Sequence, residues 1–402
     1  MEIVNIQKYT KDFRCDILDY KDNKILFTKE YKKNNINYYG VFEYDVLSND
    51  LNEIYRYEIK EYQFTNQYTK IVDKELVILN TGFDYEVEVH ILDTKNKSLK
   101  SKHIIKVNEE VSYVPQIIDN RYILFRTDIE VSDLKGYEKY HLKGFSTLLY
   151  LGDLKDNKAY IIEDERLIKG NTCEDLLLFF DEDKKYIAFN ENYMSDYEYE
   201  IDIYDRVNQN KLDIDKITSV EALHIIKFKD FCDEIKIGKE RLSFNTIKQR
   251  KYNGWVRLMH SNEDKLYFRE KDFDTQIESI YELNSDLDLS LKKEINHKNL
   301  DGELIYDNQI YEVIKNSNKI QIKGLFNCDY NLEFEEFKHP YFEGLIDDRY
   351  IIVSSWFEDF DENYHQLSYI IDNKTKEIKK YELNNKIFKD TVILYDDSKF
   401  YE

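Results

Sequence analysis

IIDNRYILF (residues 117–125) and LIDDRYIIV (residues 345–353) write one pattern twice, more than two hundred positions apart. An apolar run, a pair of turn-forming residues and a second run of Tyr, Ile, Leu, Val and Phe reads as a β-hairpin. Asp and Asn tolerate the positive φ that tight hairpin turns require. The pattern recurs as ILDYKDNKILF (17–27), IVDKELVIL (71–79), FFDEDKKYIAF (179–189), LMHSNEDKLYF (258–268), LIYDNQIYEV (304–313) and VILYDDSKFY (392–401), so eight copies span the chain.

Each of the first seven copies is followed by a third candidate strand, such as VEVHILDTKNK (87–97) or LSYIIDNKTKE (367–377), and then by a fourth that alternates polar and apolar residues, such as LNEIYRYEI (51–59). The unit is four antiparallel strands recurring mostly about every 40 to 50 residues, with longer steps in two places. The second strand of a copy, YILF or YIIV, is apolar on both alternate sets, which suits a strand covered on two faces. The repeats resemble the β-propeller superfamily in general, with no kelch or WD-repeat signature among them. That resemblance implies an all-β fold of radial four-stranded blades, eight by count with seven as the alternative. The last copy stops after two strands and EIVNIQKY (2–9) reads as an outer strand with no blade of its own, so joining the N- and C-terminal strands closes the ring. Pro115 and Pro340 are expected just before first strands. A single domain over residues 1–402 follows.

The chain has 402 residues with Lys plus Arg 58 and Asp plus Glu 80, a formal net charge of -22 that disfavours nucleic acid and anionic membranes as partners. Tyr 35 and Phe 23 supply enough apolar area for a large core despite the charge. The N-terminus carries no secretory pattern and no run approaches a membrane span, so a cytoplasmic protein is expected. Cys15, Cys173, Cys232 and Cys328 are scattered, which predicts buried free thiols.

Chemistry-bearing motifs are sparse. Asp359, Asp361 and Asn363 alternate as in a calcium loop, but Tyr364 stands where the glycine is needed, and GFDYE (82–86) and DFDTQ (272–276) repeat the Phe-Asp pair, so a turn motif is the cheaper account. The eight histidines show no shared metal spacing. With 11 glycines there is no phosphate loop and no nucleophile elbow. No metal or cofactor is expected.

Two segments depart from the repeat: a long loop at residues 128–144 and an apparent insertion at 213–254. The second half of the insertion reverses the local charge, with Lys236, Lys239, Arg241, Lys248, Arg250, Lys251 and Arg257 interleaved with aromatics including Trp255. The main expectation is a non-catalytic scaffold whose basic segment binds another protein, acidic or phosphate-bearing. The alternative is an enzyme of hydrolase or lyase type, or a carbohydrate-binding module, using the central channel. Its candidate mouth residues are Glu30, Asp128, Glu191, Tyr193, Glu270, Trp356 and Glu358.

Overall fold

A computed structural model describes the chain apart from residues 12, 60–65, 73–74, 82–84, 129–146, 169–176, 182–183, 192–206, 212–219, 263–264, 297–301, 307–308, 317–318, 326–327, 334–338, 359–363 and 397–402. The described residues form seven four-stranded sheets and one three-stranded sheet, and within every four-stranded sheet the strands lie side by side in chain order. The fold is all-β. Its helices are short: Gln7–Thr10, Glu165–Ile168 and Phe228–Lys236. The long loop at 128–144 and the calcium-like triplet fall almost wholly outside the described residues.

The sheets belong to two compact units. Residues 1–61 and 298–402 make the first, with sheets over residues 15–59, 302–333 and 339–381, and a terminal sheet of Asn384–Phe388, Thr391–Tyr395 and Glu2–Asn5. Residues 62–297 make the second, with sheets over 66–106, 110–161, 177–250 and 254–296.

The doubly apolar second strands are covered on both faces. In Tyr122–Asp128, Ile123 and Phe125 pack with Val77 and Val89, while Leu124 packs on the other side with Ile187 and Phe189. Thr391–Tyr395 does the same in the first unit. Its Ile393 joins Ile17, Ile25 and Phe27, and its Val392 and Leu394 join Ile346, Ile352 and Ile370. Two-faced burial is why these strands do not alternate.

The repeated Arg-Tyr has a structural cause. Arg121 forks onto Asp153 with Nε and Nη2 at 3.0 and 2.9 Å, and Arg349 forks onto Asp372, its Nε at 2.9 Å. Each aspartate ends the third strand of its own sheet and also accepts the next turn's backbone N–H, from Lys155 and Lys374. Each guanidinium also lies over the tyrosine that follows it, at 4.8 and 4.9 Å from the ring centre. One Arg-Tyr pair therefore ties the first hairpin of a sheet to its third strand, a bidentate geometry that lysine could not supply.

The turns themselves differ. Asp22 and Asn23 (φ 51° and 60°) and Asp347 and Asp348 (φ 54° and 48°) adopt the expected left-handed conformation. Asp119 and Asn120 turn without positive φ, because the Asp119 carboxylate accepts the N–H groups of Arg121 and Tyr122 at 2.9 and 2.7 Å. The same letters thus make a side-chain-capped turn in one copy and a left-handed pair in the other. Replacing Asp347 and Asp348 together by Val is expected to cost roughly 1 to 3 kcal/mol, since β-branched residues resist positive φ. A denaturant midpoint equal to the parent's would rule this out.

Three sequence expectations are corrected. Both prolines lie within edge strands, Glu110–Ile117 and His339–Ile346, where one side of the strand lacks a partner and a missing N–H is harmless. In the eighth copy, VILY is the second strand rather than the first; Asn384–Phe388 precedes it through a turn at Lys389 (φ 48°). The N-terminal strand does join it, but runs parallel as a third strand, Glu2 facing Thr391 and Asn5 facing Leu394. Nor is residues 213–254 an addition to the repeat. Glu221–Lys227 and Asn245–Arg250 are the third and fourth strands of their sheet, and only the helix Phe228–Lys236 with its flanks is extra.

Candidate functional site

The basic segment is largely neutralised by the chain's own anions. Lys236, on the short helix, donates to Asp153 and to the Tyr122 hydroxyl. Lys239 pairs with Glu234 at 2.7 Å, Lys248 with Glu270 at 2.9 Å, and Arg250 with Glu270 and Asp272, the latter at 2.8 Å. Arg257 and Arg269 lie over Trp255 at 5.0 and 5.1 Å. Arg241 and Lys251 are exposed. The neutralising carboxylates mostly come from other strands, so a local count of charge could not see them.

The candidate mouth residues fall in both units. Glu270 is committed to Lys248 and Arg250, and Glu191 to His224 at 2.7 Å. Both belong to the second unit, whereas Glu30 belongs to the first. Asp128, Trp356 and Glu358 lie on described strands, and Tyr193 lies outside the described residues.

What the structure does assemble is a row of charges on the edge strands that open three sheets of the first unit. Asp16 stands on Cys15–Lys21, Glu343 on His339–Ile346 and Lys386 on Asn384–Phe388. Lys386 acts electrostatically on both carboxylates, yet no ion pair within 4.0 Å joins it to either among the described residues. Arg14 extends the row, acting on Asp16 and reaching Glu30 at 3.7 Å. Glu343 also takes a hydrogen bond from Ser354, whose hydroxyl accepts the Asn385 amide at 2.6 Å.

Asp16, Glu343 and Lys386 are open to water. Nevertheless loss of hydration pushes the carboxyls of Asp16, Glu343 and Glu30 above their ordinary range, against the pull of Lys386 or Arg14. Carboxyls kept protonated to higher pH beside an amine can exchange protons with a bound molecule and steady a developing negative charge. Of this row, sequence reading found Glu30. Asp16, Glu343 and Lys386 sit in different sheets and share no motif. Among the described residues no group of three or more His, Cys, Asp or Glu is placed to hold a metal ion, and no helix is long and apolar enough to cross a membrane. Cys15 and Cys232 are buried free thiols, and burial pushes that of Cys232 up to about 12.

No protein-family model matches the chain, and no curated protein does. Solved structures of similar architecture include dipeptidyl peptidase 4 of Porphyromonas gingivalis (12% identity, TM-score 0.49, covering 95% of this chain and 55% of that one). They also include an oligogalacturonate lyase in complex with manganese (10%, 0.46, 86% and 87%). A third is the β-propeller domain of the Trilobed protease from Pyrococcus furiosus (11%, 0.42, 92% and 97%). The chain spans about half the length of the dipeptidyl peptidase. The pairing of Lys236, Lys248 and Arg250 with the chain's own carboxylates corrects the expectation of a non-catalytic scaffold displaying a basic docking segment. At the level of architecture, the chain resembles the β-propeller proteins.

Proposed function

We propose that the chain is an enzyme of hydrolase or lyase type built on a closed ring of eight blades, with an acid–base site at Asp16, Lys386 and Glu343. The ring is supported by eight consecutive sheets and by the N-terminal strand completing the last of them. The observation that carries the activity is the placement of two carboxylates and a lysine on the edge strands that open three sheets of one unit, with Lys386 acting electrostatically on both carboxylates. In this reading one carboxyl donates a proton to a leaving oxygen while the other, ionised, accepts one from water or from the substrate carbon. Lys386 holds the oxygen on which negative charge develops. Hydroxyl-rich polar substrates, carbohydrates first, fit a row of charged hydrogen-bonding groups.

The test is a panel of oligosaccharides and polyuronates, assayed for new reducing ends and for the ultraviolet absorbance of an elimination product. Asp16→Asn and Glu343→Gln should each lower turnover about 100-fold or more at unchanged melting temperature. Because the required acid has a raised pKa, activity should persist to higher pH than an ordinary carboxyl allows, then fall as that proton is lost. No turnover across the panel, or full activity in both variants, would overturn the proposal.

A further inference from the structure

In the second unit, we infer that Thr246 is a nucleophile activated by His224 and Glu191, able to accept an acyl group. The three residues sit on adjacent strands of one sheet: Glu191 at the end of Lys184–Glu191, His224 within Glu221–Lys227 and Thr246 within Asn245–Arg250. His224 Nε2 lies 2.7 Å from a Glu191 carboxylate oxygen, and the Thr246 hydroxyl lies 3.0 Å from Nδ1. An ionised carboxylate only accepts, so Nε2 must carry the hydrogen. In the neutral ring Nδ1 is then the acceptor, and it takes the hydrogen bond of the threonine hydroxyl.

The histidine between the two partners is the most covered of the three, and the hydroxyl is the most open. The His224 side chain is only 5% exposed, stacked on Phe189 at 5.0 Å with Phe244 beside it at 6.0 Å. Glu191 is 20% exposed and Thr246 is open to water. The imidazole is thus fixed by packing and by two hydrogen bonds, while the hydroxyl oxygen it polarises faces solvent. A buried histidine in a purely structural role needs its polar atoms satisfied; it has no need of a partner that an incoming molecule can reach.

The step balances without any further group. Thr246 Oγ attacks the carbonyl carbon of an ester, and its proton passes to His224 Nδ1, giving an imidazolium that Glu191 stabilises. The C–O bond to the leaving alcohol breaks, and that alcohol takes the proton from His224. Water then cleaves the acyl-threonine by the same route and restores the free hydroxyl.

A fluorophosphonate tests this directly, because the same attack forms a stable P–O bond and expels fluoride. The full chain should become labelled, with peptide mass spectrometry placing the adduct on Thr246. Thr246→Val keeps shape at an exposed position and should abolish the adduct, and Thr246→Ser should retain it. Glu191→Gln should slow labelling at least tenfold. An unlabelled wild-type Thr246, or a Glu191→Gln rate equal to the parent's at unchanged melting temperature, overturns the inference. The site at Asp16 and Glu343 plays no part in this test, so either proposal can fail alone.

Discussion

Deleting residues 1–6 is expected to leave the protein aggregated, or to lower its melting temperature by on the order of 10 °C or more. Glu2–Asn5 is the third strand of the terminal sheet, hydrogen-bonded in parallel to Thr391–Tyr395. Val4 is 7% exposed and Ile6 wholly buried, both packed with Ile17, Ile25, Phe27, Phe42 and Ile393. Losing those two side chains costs about 3 to 6 kcal/mol of apolar burial. The deletion also bares one edge of a strand whose Val392, Ile393 and Leu394 are fully buried, and an open apolar edge recruits other chains. The Met1 ammonium, 3.3 Å from Asp347, is lost as well, but an ion pair that exposed contributes little. Scanning calorimetry and light scattering decide the outcome. A truncated chain that stays monomeric and melts within a few degrees of the parent would show that the terminal sheet does not need its third strand.

Asp153→Ala should be among the most damaging single substitutions, at about 3 kcal/mol. The Asp153 side chain is fully buried and is the shared acceptor for the Arg121 fork, the Lys236 ammonium and the Lys155 backbone N–H. Removing it leaves Lys236, whose side chain is 19% exposed, beside an empty acceptor site. The corresponding Asp372→Ala should cost less, because among the described residues Arg349 is its one strong cationic partner and the pair lies nearer the surface. Burial pushes the Asp153 carboxyl up, but hydrogen bonds and charge from Arg121 and Lys236 outweigh it and hold the group at about 2, below its ordinary 3.8. A depressed folded-state value means that this contribution is complete above about pH 4 and is lost as pH falls through about 2. Acid unfolding of Asp153→Asn should therefore lack that component of the parent's curve. If the two chains lose stability in parallel between pH 4 and 2, the network is not what holds the hairpin to its third strand.

Local rules wrote much of this fold into the chain. Strand, turn and strand depend on residues within about ten positions of one another, so Asp347-Asp348 and the apolar YILF could be read directly as a left-handed turn and a doubly covered strand. Two such copies even carry the arginine that locks each hairpin, although its partner, an aspartate 23 or 32 positions on, had no visible role. Local rules also misled where a side chain could compete with the backbone, as when the Asp119 carboxylate capped its own turn. Only tertiary structure decided the rest. Lys236, Lys248 and Arg250 looked like a cationic surface until Asp153, Glu270 and Asp272 were brought against them from strands elsewhere in the chain. Asp16, Glu343 and Lys386 are three ordinary surface letters in a chain with 80 carboxylates. They become a row because packing of three edge strands brings Lys386 within electrostatic reach of both carboxylates. Coulomb and desolvation energies depend on distance in space, and nothing in a linear order of residues fixes that distance until the sheets have packed.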